Sequence, residues 1–162
     1  MTKIKIRSAR KNDIDALVEM QVGFEKYFQK LGSCEVYKIN KAARRKDIMD
    51  LNFSKNHIMR TLVAEIDGVV VGRISFYKGY VAEVPPCYIF RLSGVFVREQ
   101  YRRMGITKKL FDALIKIAKR EKITSISWSV WGPNTSAVKF YDAIGAKYYS
   151  KEYDEHYMFL DV

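Results

Sequence analysis

Apolar and polar residues alternate in Ile4-Lys5-Ile6-Arg7, the period-2 pattern of a half-buried strand. Ile14, Leu17, Val18, Phe24, Phe28 and Leu31 then recur at helical spacing on one face, which predicts a helix from an Asn12 cap to about Gly32. A second, weakly amphipathic helix rich in Lys and Arg is expected over Asn40–Leu51. Two β-rich runs, Leu62–Ile66 and Val69–Phe76, flank Asp67-Gly68, a strong two-residue hairpin signal. Tyr77 to Pro86 reads as a connection, and Pro85-Pro86 blocks strand continuation before a strand over Cys87–Val97. The next helix carries Leu110, Phe111, Leu114, Ile117 and Ala118 on one face, with Lys108, Asp112, Lys116, Lys119 and Arg120 outward. Ile123–Val130 reads as a strand. Pro133 and Asn134 open a short helix to Ile144, and Gly145 suits the left-handed cap beyond it. Strands near Ala146–Ser150 and His156–Leu160 follow. Helices between strands in the middle and hairpins at both ends imply a mixed α/β (α+β) sandwich.

Length and charge narrow the picture. A chain of 162 residues with 48% apolar content suffices for one buried core, so a single domain over 1–162 is expected. It has no 18-residue apolar run, and Met1-Thr2-Lys3-Ile4-Lys5 lacks the apolar core of a signal peptide, so a soluble, cytoplasmic protein without membrane contact is expected. Cys34 and Cys87 are far apart and outside any Cys/His cluster, which points to free thiols and to neither a metal site nor a disulfide framework. The net charge of +11 is uneven: residues 1–60 carry 14 basic against 7 acidic side chains, and residues 98–122 carry 9 against 3. The second block suits a polyanionic ligand. The first suits an acidic substrate, nucleic acid or a solvated basic face, and the last is favoured, because no nucleic-acid-binding signature accompanies it.

The stretch Val95-Phe96-Val97-Arg98-Glu99-Gln100-Tyr101-Arg102-Arg103-Met104-Gly105-Ile106-Thr107-Lys108-Lys109-Leu110 is a strand, a basic loop and a helix start. A helix start offers unpaired N–H groups and the positive end of a dipole, where an anion such as phosphate is stabilised. Arg102, Arg103, Lys108 and Lys109 add charge around that point, and Gly105 lets a ligand approach the backbone. Several phosphates match this better than a lone carboxylate.

Arg102-x-x-Gly105-x-Thr107 after Val95-Phe96-Val97 resembles the acyl-coenzyme A pyrophosphate loop of the GCN5-related N-acetyltransferases, the GNAT family. Asn134-x-x-Ala137-x-x-x-Tyr141-x-x-x-Gly145 resembles a later helix of the same family. The resemblance implies a GNAT-like, mostly antiparallel central sheet of six to seven strands flanked by about four helices. It also implies acetyl-coenzyme A as co-substrate, no metal, and a primary amine of unknown identity as acceptor. The residues it assigns to the co-substrate are Val95, Phe96, Val97, Arg102, Arg103, Met104, Gly105, Ile106, Thr107 and Asn134. Thr107 departs from the family's Gly or Ala; it either crowds the phosphates or lends them a hydroxyl.

The resemblance further makes Tyr141 the candidate general acid for the departing thiolate, and puts a backbone oxyanion donor at Val95–Val97. Many relatives have a Glu on the strand before the loop; Arg91 and Ser93 stand there instead, and Glu83, Glu35 and Asp154 are left as bases acting through water. Arg91, if it faces the acceptor, favours an amine that also carries an anion. Phe24, Tyr27, Phe28 and Tyr37 are candidate pocket residues in a region that, in the family, shapes the acceptor site, with core packing as the alternative. His57 and His156 read as strand-edge residues, and Trp128 and Trp131 as packing or cleft wall. Tyr148, Tyr149, Tyr153 and Tyr157 suit an acceptor cleft or a homodimer interface equally. Two further functions stay open: a protein N-terminal or lysine acetyltransferase, and a weakly catalytic binding module that uses its basic face.

Overall fold

The computed structural model describes residues 3–82, 85–152 and 154–162; Glu83 and Tyr153 lie outside them. Seven strands run β1 (Lys5–Ser8), β2 (Arg60–Ile66), β3 (Val69–Val81), β4 (Cys87–Val97), β5 (Ser125–Trp131), β6 (Lys147–Lys151) and β7 (Glu155–Asp161). The helices are α1 (Ile14–Leu31), α2 (Lys41–Phe53), α3 (Ile106–Arg120) and α4 (Thr135–Ala143). The strand order is β1-β2-β3-β4-β5-β7-β6, with β4 and β5 parallel and β1-β2, β2-β3, β5-β7 and β7-β6 antiparallel. This is the mostly antiparallel sheet, flanked by four helices, that the resemblance implies. Among the described residues, no helix is long and apolar enough to cross a membrane.

The chain divides into two compact units, one of residues 1–77 and 93–114, the other of residues 78–92 and 115–162. In the first, Asp67 and Gly68 both take positive φ, 48° and 80°, so the Asp-Gly turn closes the β2-β3 hairpin with the twist its strands need. Leu17 and Met20 of α1 bury against Val63 and Val70, with Ile48 and Phe53 of α2 packed on the same cluster. In the second, β5 pairs in parallel with the start of β4 and antiparallel with β7, so Phe90 lies opposite Ile126, and Trp128 opposite Met158; all four side chains are buried. Strand β6, at the end of the order, has a bulge between Tyr148 and Ser150, and Tyr149 there is 78% exposed.

Three expectations are corrected. Asn12 does not cap α1: residues Lys11–Asp13 form a 3-10 turn, and the carboxylate of Asp13 accepts from the Arg10 backbone N–H (2.7 Å) and from Arg7 (2.7 and 2.9 Å). Asp13, which stands at the N-cap of α1, makes no side-chain bond to the helix's own N–H groups; its carboxylate closes the 3-10 turn at Arg10 and holds Arg7 of β1, six residues back. The segment Tyr77 to Val81 is strand and not connection, because Lys78 lies over the Tyr88 ring (4.2 Å) and Tyr80 packs on Tyr88 (5.4 Å), ring contacts that prolong the ribbon. His57 lies outside any strand, its Nδ1 beside the Ser54 carbonyl, whereas His156 is buried on β7, an interior strand between β5 and β6.

Arg7 also donates to Glu65 on β2 (2.8 Å), so one guanidinium joins β1, β2 and the start of α1. The hydrogen bond from Arg7 is the largest of the effects that hold the Asp13 carboxyl below the usual range. A folded pKa below the unfolded value means that the folded state binds fewer protons. The contribution is therefore complete above about pH 4 and is lost as pH falls through the folded value. Asp13→Asn is expected to cost about 1–3 kcal/mol at pH 7 in denaturant melts, and to flatten the acid limb of stability against pH.

Candidate active site

Strand β4 delivers the chain to the predicted loop. Val97 is buried, and Val95 and Phe96 are half-buried. The backbone N–H of Arg98 donates to the Val71 carbonyl of β3 (2.9 Å), and Glu99–Tyr101 form a 3-10 turn. Arg102 donates from Nε to the Val97 carbonyl (3.3 Å), and its guanidinium lies over the rings of Tyr27 (5.2 Å) and Phe96 (5.9 Å). Such stacking fixes an exposed cation at the head of the loop.

Arg103 and Gly105 take left-handed φ of 62° and 73°, and turn the chain sharply into α3. A non-glycine residue there costs on the order of 1 kcal/mol, a strain that clusters at functional sites. A Cβ built on Gly105 would meet nothing within 4 Å, so the space over the start of α3 is open. Lys109 is the residue whose N–H returns to Gly105 (3.1 Å), and helical geometry leaves the N–H groups of Ile106, Thr107 and Lys108 without intrahelical partners. Ile106 is buried and anchors the helix start; Thr107 is half-buried, while Arg102, Arg103, Met104, Lys108 and Lys109 are exposed. Open space, unpaired donors and cations suit an anionic group such as a pyrophosphate.

These residues lie in the first unit, together with α1; Asn134 and Tyr141 lie in the second. Asn134 is the N-cap of α4, buried, with its side-chain oxygen accepting from the Ala137 N–H (3.4 Å). Seven residues on, Tyr141 packs at a tilt on Trp128 (4.7 Å between centroids) and edge-on to Phe140 (5.5 Å). Burial pushes its phenol pKa above the usual value, so the hydroxyl keeps its proton at neutral pH.

The aromatic candidates of α1 are half-buried and absent from the core. Phe24 packs on Phe28 (4.6 Å) and edge-on to Phe96 (6.4 Å), and Tyr27 meets Phe28 (6.0 Å). A Cβ on Gly23 would stand 2.8 Å from Phe96 Cζ, so the absence of a side chain there sets how closely α1 approaches the end of β4. Glu35 and Asp154 are exposed, and Arg91 is half-buried opposite Ser127 of β5.

Two buried charges escaped the sequence reading. Glu25 of α1 accepts from Gln21 (2.9 Å), Tyr37 (2.7 Å) and Arg44 of α2 (2.6 and 3.1 Å). Burial opposes its ionisation, but these donors outweigh burial and hold the carboxyl below its usual pKa. With its lone pairs taken, Glu25 is a poor base. Arg73 of β3 donates to Gln21 (2.5 Å) and to Ser75 (3.0 Å), which in turn meets Thr61 (2.8 Å). The signal available was weak: a lone Glu inside the apolar periodicity of α1, and a lone Arg inside an otherwise apolar strand.

Residues 21–146 match the model of the acetyltransferase (GNAT) family, and the chain belongs to that family. It is 32% identical over 89 residues to an L-ornithine N5-acetyltransferase of Arabidopsis thaliana, a match over 52% of this chain and 37% of that protein. It is 28% identical over 117 residues to a thialysine N-epsilon-acetyltransferase of Caenorhabditis elegans, over 72% of this chain and 67% of that one. The chain thus spans little more than a third of the first relative's length. Its fold is similar to that of the PaiA N-acetyltransferase of Thermoplasma acidophilum in complex with coenzyme A, at a TM-score of 0.72 and 19% identity over 99% of both chains. A GNAT-family acetyltransferase of Staphylococcus aureus gives 0.73 at 17% identity, over 98% of this chain and 99% of that one.

Gly23→Ala is expected to displace the Phe96 ring and cost about 1–3 kcal/mol by overpacking, measured by chemical denaturation; Gly105→Ala, where there is room but a left-handed φ, is expected to cost about 1 kcal/mol.

Proposed function

We propose that the protein is an N-acetyltransferase that moves the acetyl group of acetyl-coenzyme A directly to a primary amine of a small molecule. The observation that carries this reading is the loop Arg102–Thr107: two left-handed residues and open space over a helix start, ringed by four cations, inside the family's motif. The residues present fit a pyrophosphate. When bound, acetyl-coenzyme A supplies an acetyl thioester with an electrophilic carbonyl carbon and a thiolate leaving group.

In this reading the N–H groups of Ile106, Thr107 and Lys108 hold the phosphates, with Arg102, Arg103, Lys108 and Lys109 balancing their charge and Asn134 as a further contact. Backbone N–H groups at Val95–Val97 receive the charge that develops on the carbonyl oxygen, an effect worth a few kcal/mol in acyl transfer. The amine nitrogen forms the C–N bond, the C–S bond breaks, and Tyr141 gives its proton to the sulfur; the proton that the new amide nitrogen sheds leaves to water, from which Tyr141 is reprotonated. Its place within the residues that match the family supports this role, and the phenol is protonated at pH 7 as an acid must be. Glu25 is engaged by its donors and is not the base; the acceptor amine attacks in its neutral form. The Arabidopsis relative is an acetyltransferase for L-ornithine and the Caenorhabditis one for thialysine; both compounds carry a side-chain amine, which supports an amine of that kind here.

Calorimetric titration with acetyl-coenzyme A is expected to give micromolar binding that Gly105→Glu abolishes, because the variant puts negative charge and bulk where the phosphates sit; no binding to the unaltered protein rejects the reading. Tyr141→Phe is expected to lower kcat by about 100-fold with little change in the KM for acetyl-coenzyme A, and an unchanged rate removes Tyr141 from the mechanism. Because only the neutral amine attacks, kcat/KM for the amine rises about tenfold per pH unit toward the amine's own pKa, as pH-rate profiles will show.

A further inference from the structure

Arg73 is 8% exposed and, among the described residues, has no carboxylate within ion-pair reach. Its hydrogen bonds go to two neutral oxygens, Gln21 Oε1 and Ser75 Oγ. Its Nε is buried and has no partner at all. The charge that favours it most is Glu25, which acts through space while Gln21 bridges the two, donating to Glu25 and accepting from Arg73. Glu25, however, is already matched by Arg44. Arg44 in turn also meets Asp47 at 3.5 Å, so the carboxylates of this cluster sit with Arg44 and Arg73 is left without one in contact; burial pushes the Arg73 guanidinium down to about 10.

A buried cation without a counter-ion is costly, and apolar packing would be the cheaper way to fill this place. The position of the cation supplies a reason for keeping it. A Cβ on Gly94 would find Arg73 Nη2 and the Phe24 ring at 3.9 Å, ordinary contact distance, so Gly94 leaves side-chain room directly against the guanidinium. Gly94 immediately precedes Val95–Val97. Gln21 and Phe24, which cover Arg73 from α1, are themselves only half-buried.

We propose that Arg73 is the anion subsite of the acceptor pocket, taking over Gly94 the carboxylate of an amino-acid-type amine whose reactive nitrogen lies several bonds further along the molecule. This inference rests on the acetyl-transfer reading above. The Nε and Nη2 edge of a guanidinium presents two parallel N–H donors that fit a carboxylate, and here Nε waits unpaired while Nη2 lies against the Gly94 space. Phe24, whose ring lies 5.9 Å from the Arg73 guanidinium carbon, gives the aliphatic part of such a substrate an apolar wall. A polyamine brings only positive charge to a guanidinium that has no carboxylate in contact, so the same residue selects against it. The anion-recognising role that Arg91 suggested in the sequence thus passes to a neighbouring strand.

The protein, with coenzyme A present, is titrated by calorimetry with L-ornithine and with 1,4-diaminobutane, which has the same amine-bearing carbon chain and lacks the carboxylate. Transfer from acetyl-coenzyme A to each is followed by thiol release. The unaltered protein is expected to favour L-ornithine by roughly tenfold or more in Kd and kcat/KM, with Arg73→Met closing that gap. Arg73→Met removes an unpaired buried charge, so its melting temperature is expected to hold or rise. Should it fail to fold, Arg73→Lys keeps the charge but loses the paired donors, and is expected to narrow the gap through KM and not kcat. Equal handling of the two amines by the unaltered protein, a gap that persists in either variant, or no binding of L-ornithine overturns the subsite. Thiol release with neither amine, alongside Arg73-dependent binding of L-ornithine, overturns the acetyl-transfer reading and leaves the subsite standing.

Discussion

The first unit is organised around buried charge held in check by hydrogen bonds. Removing a carboxylate from water costs several kcal/mol unless every lone pair finds a donor, and Glu25 finds its donors on α1 itself, on α2 and on the segment between them. Arg44 fixes α2 against α1, and Tyr37 ties down the connecting segment. Gln21 carries the network on to Arg73 in the sheet. The layer of helices on β2 and β3 is thus positioned by polar bonds of defined geometry as much as by the apolar cluster of Leu17, Met20, Val63 and Val70. Apolar contacts alone tolerate sliding, whereas this network specifies one register for α1.

What the chain's pattern revealed and what it hid follow the reach of the interactions concerned. The Asp67-Gly68 turn, the opening of α4 at Asn134 and the stripe of α3 are set within a few residues, and all of them read correctly. The loop Arg102–Thr107 was legible for the same reason: its glycine, its basic residues and the apolar strand before it are contiguous. The start of α1 was misplaced because Asp13 takes its partner from β1, and strand β3 was cut short because its extension depends on rings facing it from β4. Glu25 and Arg73 were hidden more deeply. Nothing local distinguishes a buried, neutralised Glu from a solvated one, since its partners lie 4, 12 and 19 residues away along the chain.

The aromatic face of α1 joins the two parts of the first unit that matter for chemistry. Tyr27 supports Arg102 at the head of the loop, Phe24 covers Arg73, and Phe28 braces both rings. One helix face thereby sets the approach to the loop and the surroundings of Gly94 at the same time. Stiff rings suit this role, because they lose little entropy on being fixed and transmit position faithfully.

The bulge in β6 bears on how the molecule behaves in a crowded solution. An outermost strand presents a row of unpaired backbone groups onto which another chain can crystallise as an extra strand, and tyrosine-rich ribbons are prone to this. Here the strand is five residues long, Tyr149 interrupts its pleat, and Lys147 and Lys151 stand at its two ends. A neighbouring strand laid along it would lose register midway and meet a charge at each end, so this edge of the sheet resists extension.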